Sequence, residues 1–112
     1  MATAFRGSIE YNYVFGAPPL VNDEEFTFKV MESAKKAIGE DNVQLMQSPV
    51  MGGEDFAYYL EKVPGTFIFL VNPLAIDGVF YPHHNSKFAI DEEYFHRGIE
   101  IFVQSTLDFL NN

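Results

Sequence analysis

Three clusters in this sequence carry side chains able to do chemistry. His83 and His84 stand together in Tyr81-Pro82-His83-His84-Asn85-Ser86, between an apolar run and a helical pattern, where a rigid scaffold can hold a loop out for binding or catalysis. An imidazole there can hold a metal ion or carry a proton. The same two residues can equally be surface polar groups, or one packed ring and one solvated ring. A metal site needs three or more convergent ligands, and no other histidine lies at ligand spacing. Gly52-Gly53-Glu54-Asp55 places two glycines directly before a helical pattern, whose free N–H groups would cradle an anion such as a carboxylate. Its two acids would oppose that anion, and a plain turn with ordinary helix-start acids explains the spacing as well. Asp91-Glu92-Glu93 opens the strongest helical pattern of the chain, where acids favour the helix dipole, so no catalytic role is assigned to it. His96 falls one turn later, away from Ile99 and Phe102, as a surface or packing residue.

The elements that must position these groups follow from periodicity. Gly7 to Phe15 alternates apolar and polar side chains before Gly16-Ala17-Pro18-Pro19, which predicts a half-buried strand stopped by a turn. Asn22 followed by Asp23, Glu24 and Glu25 predicts a capping-box-like helix start. Phe26, Val30, Ala34 and Ala37, with Met31 and Ile38 beside them, then trace one stripe until Gly39. Val43 to Gln47 reads as a short strand. Gly52 and Gly53 read as a loop using backbone angles closed to other residues, and Glu54 to Lys62 as a helix carrying Phe56, Tyr59 and Leu60. Thr66 to Val71 is nearly uniformly apolar, as expected of a central strand covered on both faces. Residues 72–87 read as an irregular loop. Asp91 then caps a long terminal helix with Phe95, Ile99, Phe102, Val103, Thr106, Leu107 and Leu110 on its apolar face. Alternating strands and helices predict an α/β sandwich, yet three strands are few for a sheet that buries two helical layers, and the first has no sequence-adjacent partner.

Composition narrows the partners. With 7 Lys and Arg against 16 Asp and Glu, the net charge of -9 and the absence of a basic stripe exclude a nucleic-acid surface. The longest apolar run is too short to cross a bilayer and the first residues lack signal-peptide character, so no membrane partner is expected and a cytoplasmic location is the default. The chain has no Cys, which limits local metal chemistry to His, Asp and Glu, the ligand set that suits catalytic zinc, manganese or cobalt.

The order of motifs resembles the metal-dependent amidohydrolases that include hippurate hydrolases, aminoacylases, indole-acetyl-amino-acid hydrolases and related carboxypeptidases. Pro18-Pro19-Leu20-Val21-Asn22-Asp23 resembles the hinge where that family's chain leaves a small lid domain and re-enters the catalytic domain. Met51 to Leu60 with Val63-Pro64-Gly65 resembles its most recognisable block, and His83-His84-Asn85-Ser86-Lys87-Phe88 followed by Asp91-Glu92-Glu93 resembles its final histidine motif. The resemblance implies that His84 binds one of two divalent metals, zinc by expectation with manganese, cobalt or nickel as alternatives. It implies that His83 supports the loop or lines the site, and that Gly52, Gly53 and Met51 contact the substrate, an N-acyl amino acid or small peptide. It also implies a partial three-layer sandwich of the zinc-peptidase catalytic domain over residues 18–112, preceded at 1–17 by the last strand of an α+β lid, or dimerisation, domain.

In such enzymes the metals lower the pKa of a bridging water and polarise the amide carbonyl, while a carboxylate moves the proton to the leaving amine. That carboxylate and the other ligands come from earlier segments, and nothing before Pro18 matches them. The expectation is therefore a carboxyl-terminal part with no catalytic residue of its own, inactive alone. Its rival is a catalytically dead truncated domain retained for protein association, pairing the Ile9 to Phe15 strand edge with another chain. Family members often pair through their lids, so a homo-oligomer stays open.

Overall fold

In the computed structural model, residues 2–111 are described. Two helices form the packed centre. Helix α1, Glu24–Ile38, is capped by Asp23, whose carboxylate accepts the Phe26 N–H at 2.8 Å, and Glu24 and Glu25 occupy its first turn. Gly39, at φ 89°, ends it by donating its N–H to the Lys35 carbonyl. Ala34 of the expected stripe is buried, and so is Ser33 beside it, which the stripe did not include. Capping falls to Asp23 and not to Asn22 because Asn22 has another task. Its side-chain amide donates to the Phe67 carbonyl at 3.1 Å and accepts the Phe67 N–H at 2.8 Å, as a neighbouring strand would. The Asp23 N–H reaches the Gly65 carbonyl, and Thr27 Oγ1 bonds both the Asp23 carbonyl and Thr66 Oγ1. The start of α1 is thereby stitched to residues 65–67.

Helix α3, Phe95–Leu110, lies along α1 and follows a 3-10 turn, Glu92–Tyr94, whose N-terminal cap is Asp91 as expected. Its packing face differs from the predicted one. Ile101 is buried, whereas Ile99 and Phe102 are 67% and 73% exposed. The reason is polar. Asp108 takes Ser33 Oγ at 2.7 Å, Lys36 Nζ at 2.9 Å and Gln104 Nε2 at 2.9 Å, and this clasp turns the Ile101 side of α3 toward α1. The helix is apolar on more than one side, so hydrophobicity alone did not choose among them. Helix α2 covers only Ala57–Leu60, inside the expected 54–62, and the remainder is single turns.

The three expected strands form no ladder among the described residues. A strand needs a neighbour to satisfy its N–H and C=O groups, and none lies beside 7–15, 43–47 or 66–71. These segments are extended all the same. Tyr11 stacks on Tyr13 at 6.3 Å, Tyr13 meets Phe15 edge to face at 4.8 Å, and Phe67 sits 5.3 Å from Phe69, the i, i+2 spacing of one strand face. The surface of 9747 Å² exceeds by roughly 3,500 Å² that of a compact monomer of this size. The radius of gyration, 19.7 Å, compares with about 13 Å for a compact domain.

Candidate functional site

The histidine loop is more ordered than an irregular connection. Its neck is closed by pairing of opposite direction: Leu74 N–H to the Ala89 carbonyl at 3.1 Å, Asp91 N–H to the Asn72 carbonyl at 2.9 Å, and Asn72 Nδ2 to the Asp91 carbonyl. Above the neck, Ile76 and Val79 exchange two 3.0 Å backbone bonds across Asp77 and Gly78, both at positive φ, 52° and 77°. That is the two-residue type I′ hairpin turn that an Asp-Gly pair favours.

His84 sits at a second corner. Asn85 N–H donates to the Pro82 carbonyl, closing a four-residue turn with His84 as its third residue at φ 66°. Among the central residues only His84 has positive φ, the type II pattern in which glycine or asparagine is the usual occupant. A bulky side chain there costs about 1–2 kcal/mol. Asn85 Oδ1 accepts the Lys87 N–H, and Phe88 N–H returns to the Asn85 carbonyl, so the corner is held from its C-terminal side. The His83 ring stacks on Phe88 with centroids 4.5 Å apart, while Lys87 Nζ stands 5.5 Å from the Tyr81 ring centre. His84 itself is exposed.

The glycine segment lies apart from this loop, and no hydrogen bond, ion pair or ring contact joins the two among the described residues. Gly52 and Gly53 do not use positive φ, contrary to expectation. A side chain at Gly53 would meet nothing within 4 Å, and at Gly52 only Val50 Cγ1 at 3.7 Å, so the fold of these residues does not itself require glycine. Met51 is 98% exposed. Glu54 holds the loop shape, its carboxylate accepting the Phe56 N–H at 3.1 Å. The acids Asp91, Glu92 and Glu93 serve the start of α3, and His96 is exposed with Nδ1 2.7 Å from the Glu93 carbonyl. Among the described residues no group of three or more His, Cys, Asp or Glu converges to hold a metal ion, so these residues alone do not fit a metal centre.

What this loop belongs to is decided by comparison over the whole chain, because residues 7–108 match the model of peptidase family M20/M25/M40. The chain belongs to that family. Relatives in the family include thermostable carboxypeptidase 1 of Saccharolobus solfataricus, 38% identical over 84% of this chain and 23% of its own length. Another is the N-acetyl-L-cysteine deacetylase of Bacillus subtilis, 40% identical over 82% of this chain and 20% of its own length. A third is the N-acetyldiaminopimelate deacetylase of Enterococcus faecalis, 39% identical over 87% of this chain and 24% of its own length. The chain thus spans about a quarter of the length of the curated relatives it matches. No solved structure matches it. Peptidases of this family are metal-dependent as a rule. No helix among the described residues is long and apolar enough to cross a membrane.

Sequence reasoning missed the neck residues Asn72 and Asp91 as a pair, and it missed Asn22 as the tie to Phe67. The Asp-Gly pair between Ile76 and Val79 was a usable signal for the hairpin turn. The Asn72 to Asp91 closure had none, since it joins residues 19 positions apart.

Proposed function

We propose that these residues form the carboxyl-terminal part of the catalytic domain of an amide-bond hydrolase acting on N-acyl amino acids or small peptides, and that His84 supplies one ligand to its divalent metal. Zinc is the metal this reading favours. The observation that carries it is the backbone of His84. A histidine at φ 66° forgoes stability that glycine would retain, and such residues concentrate where the side chain is needed for function. Its exposure leaves the imidazole available to ligands from outside these residues, and the closed neck of the loop fixes where it is offered.

His83, stacked on Phe88, holds the loop in this reading. Gly52 and Gly53, whose missing side chains nothing in these residues explains, leave space for a substrate's carboxylate end, with Met51 as a pocket wall. Residues 1–17 belong to a lid and 18–112 to the catalytic domain, with Pro18 and Pro19 at the joint. Residues 66–71 then act as a central strand of a sandwich whose other strands lie outside these residues. The chain alone is inactive, having one ligand and no general base.

The test uses a full-length protein containing this sequence. His84→Asn keeps a residue that tolerates the left-handed backbone but removes the imidazole, and His84→Ala removes both. Both variants should lose metal affinity at least about tenfold, by metal content after dialysis and by competition with a chelator. Unchanged affinity in the asparagine variant would remove His84 from the ligand set. Separately, the purified 112-residue chain should leave N-acyl amino acids intact.

A further inference from the structure

His84 keeps a left-handed backbone that costs stability, so other contacts in the loop must offset it. Its own side chain makes no hydrogen bond or ring contact among the described residues, and the direction of its imidazole is therefore set by the chain on either side. The ties of that chain meet at Asn85, which two consecutive turns share. Its N–H closes the first turn on the Pro82 carbonyl at 3.2 Å, and its carbonyl closes the second by accepting the Phe88 N–H at 2.9 Å. Its side chain adds a third bond, Oδ1 accepting the Lys87 N–H at 2.9 Å, the Asx turn in which asparagine mimics a main-chain turn. The two main-chain bonds are open to any residue at this position except that proline would lose the N–H. The third needs a short side chain with an acceptor, and it is the one side-chain hydrogen bond within 81–88 among the described residues.

The two N–H groups that Asn85 takes belong to the residues that reach back across the corner. Lys87 Nζ stands 5.5 Å from the centre of the Tyr81 ring, and the Phe88 ring lies 4.5 Å from that of His83. One residue thus places both of the contacts that flank His84. Without Oδ1 the Lys87 peptide is free to turn, and the second turn, which brings Phe88 to His83, loses one of its two ties to Asn85.

We propose that Asn85 is the positioning residue for His84: by fixing the second turn, its carboxamide oxygen fixes the direction in which the loop offers the imidazole. This rests on the reading of His84 as a metal ligand. Asn85 acts through the backbone and touches neither metal nor substrate in this role. Serine at this position would serve as well, because its hydroxyl oxygen accepts an N–H two residues on, whereas alanine would not.

Loss of one such bond makes local opening about fivefold more frequent. In the metal-free full-length protein, Asn85→Ala should speed hydrogen exchange about fivefold in the peptide spanning residues 81–88, read by mass spectrometry, with peptides from α1 and α3 unchanged. Asn85→Ser should restore the wild-type rate. In chelator competition the alanine variant should bind zinc about two- to fivefold more weakly, since only the ordered corner presents the imidazole, and serine should again restore it. In the His84→Asn background the same Asn85→Ala change should cost no further affinity, because a residue that acts through His84 has nothing left to place. A plain stability role would add the same loss in both backgrounds. Unchanged exchange or unchanged affinity in the alanine variant overturns the proposal, as does a serine variant that behaves like alanine, or losses that add. If His84→Asn keeps full affinity while Asn85→Ala still loosens the turn, the ligand reading of His84 fails and the positioning role falls with it. A failure of Asn85 alone leaves the His84→Asn loss in place, so the two failures are told apart.

Discussion

Replacing Asn22 by alanine removes both hydrogen bonds between its amide and the Phe67 backbone, at 3.1 and 2.8 Å. Each is worth about 1 kcal/mol net of the exchange with water, so the pair contributes about 2 kcal/mol. That is roughly a thirtyfold increase in local opening, taking about 1.4 kcal/mol per decade. The effect should stay local, because the Asp23 to Gly65 bond and the Thr27 to Thr66 contact remain and α1 keeps its own cap. Residue-resolved amide hydrogen exchange reads it directly. The Phe67 N–H should exchange about thirtyfold faster in Asn22→Ala, with the α1 and α3 amides unchanged. Asn22→Asp keeps an acceptor for the Phe67 N–H but sets a negative charge against the Phe67 carbonyl, and it should lie between wild type and alanine. Unaltered Phe67 exchange in the alanine variant would show that Asn22 is not what secures this run.

Two further outcomes follow from the helix pair. Gly98 lies within α3, and a methyl there would meet Leu70 Cδ2 at an ordinary 3.6 Å, so Gly98→Ala should raise stability by about 0.5–1 kcal/mol in denaturant unfolding. A loss of stability would mean that Leu70 packs closer than this distance. Lys36, Ser33 and Gln104 hold the Asp108 carboxyl below its ordinary value of 3.8. With the folded value depressed, the clasp's contribution is fully present above the unfolded pKa and is lost as pH falls through the folded one. Acid titration of helical content should therefore show a loss below about pH 4 that Asp108→Asn flattens, and identical acid profiles for the two proteins would refute the assignment.

Local patterns were legible wherever a residue's partner was its sequence neighbour. The stripe on α1, the stop at Gly39 and the cap at Asp91 all depend on spacings of one to four positions, and the structure has each. Longer-range partners escaped. Asn22 has the side chain of a helix cap, but its partner is 45 residues away and cedes the cap to Asp23. Asp108 meets Ser33, 75 positions earlier, and nothing in the spacing of α3 announces that contact. Residues 66–71 have the composition of a covered strand, yet composition cannot supply the neighbours that make one. At the candidate site the residue types at 83 and 84 were readable, whereas the positive φ of His84 was not. It arises from how the loop closes and not from any propensity of histidine.

The neck of the histidine loop has a consequence for how such a protein can vary. Asn72 and Asp91 close it largely through main-chain atoms, which any residue but proline can provide, and Asp91 also begins the helical run that ends in α3. What lies between them behaves as a cassette. Its length and side chains ahead of the His83–Phe88 corner can be rewritten over generations without moving the strut on which it is mounted, while the helix pair stays the same.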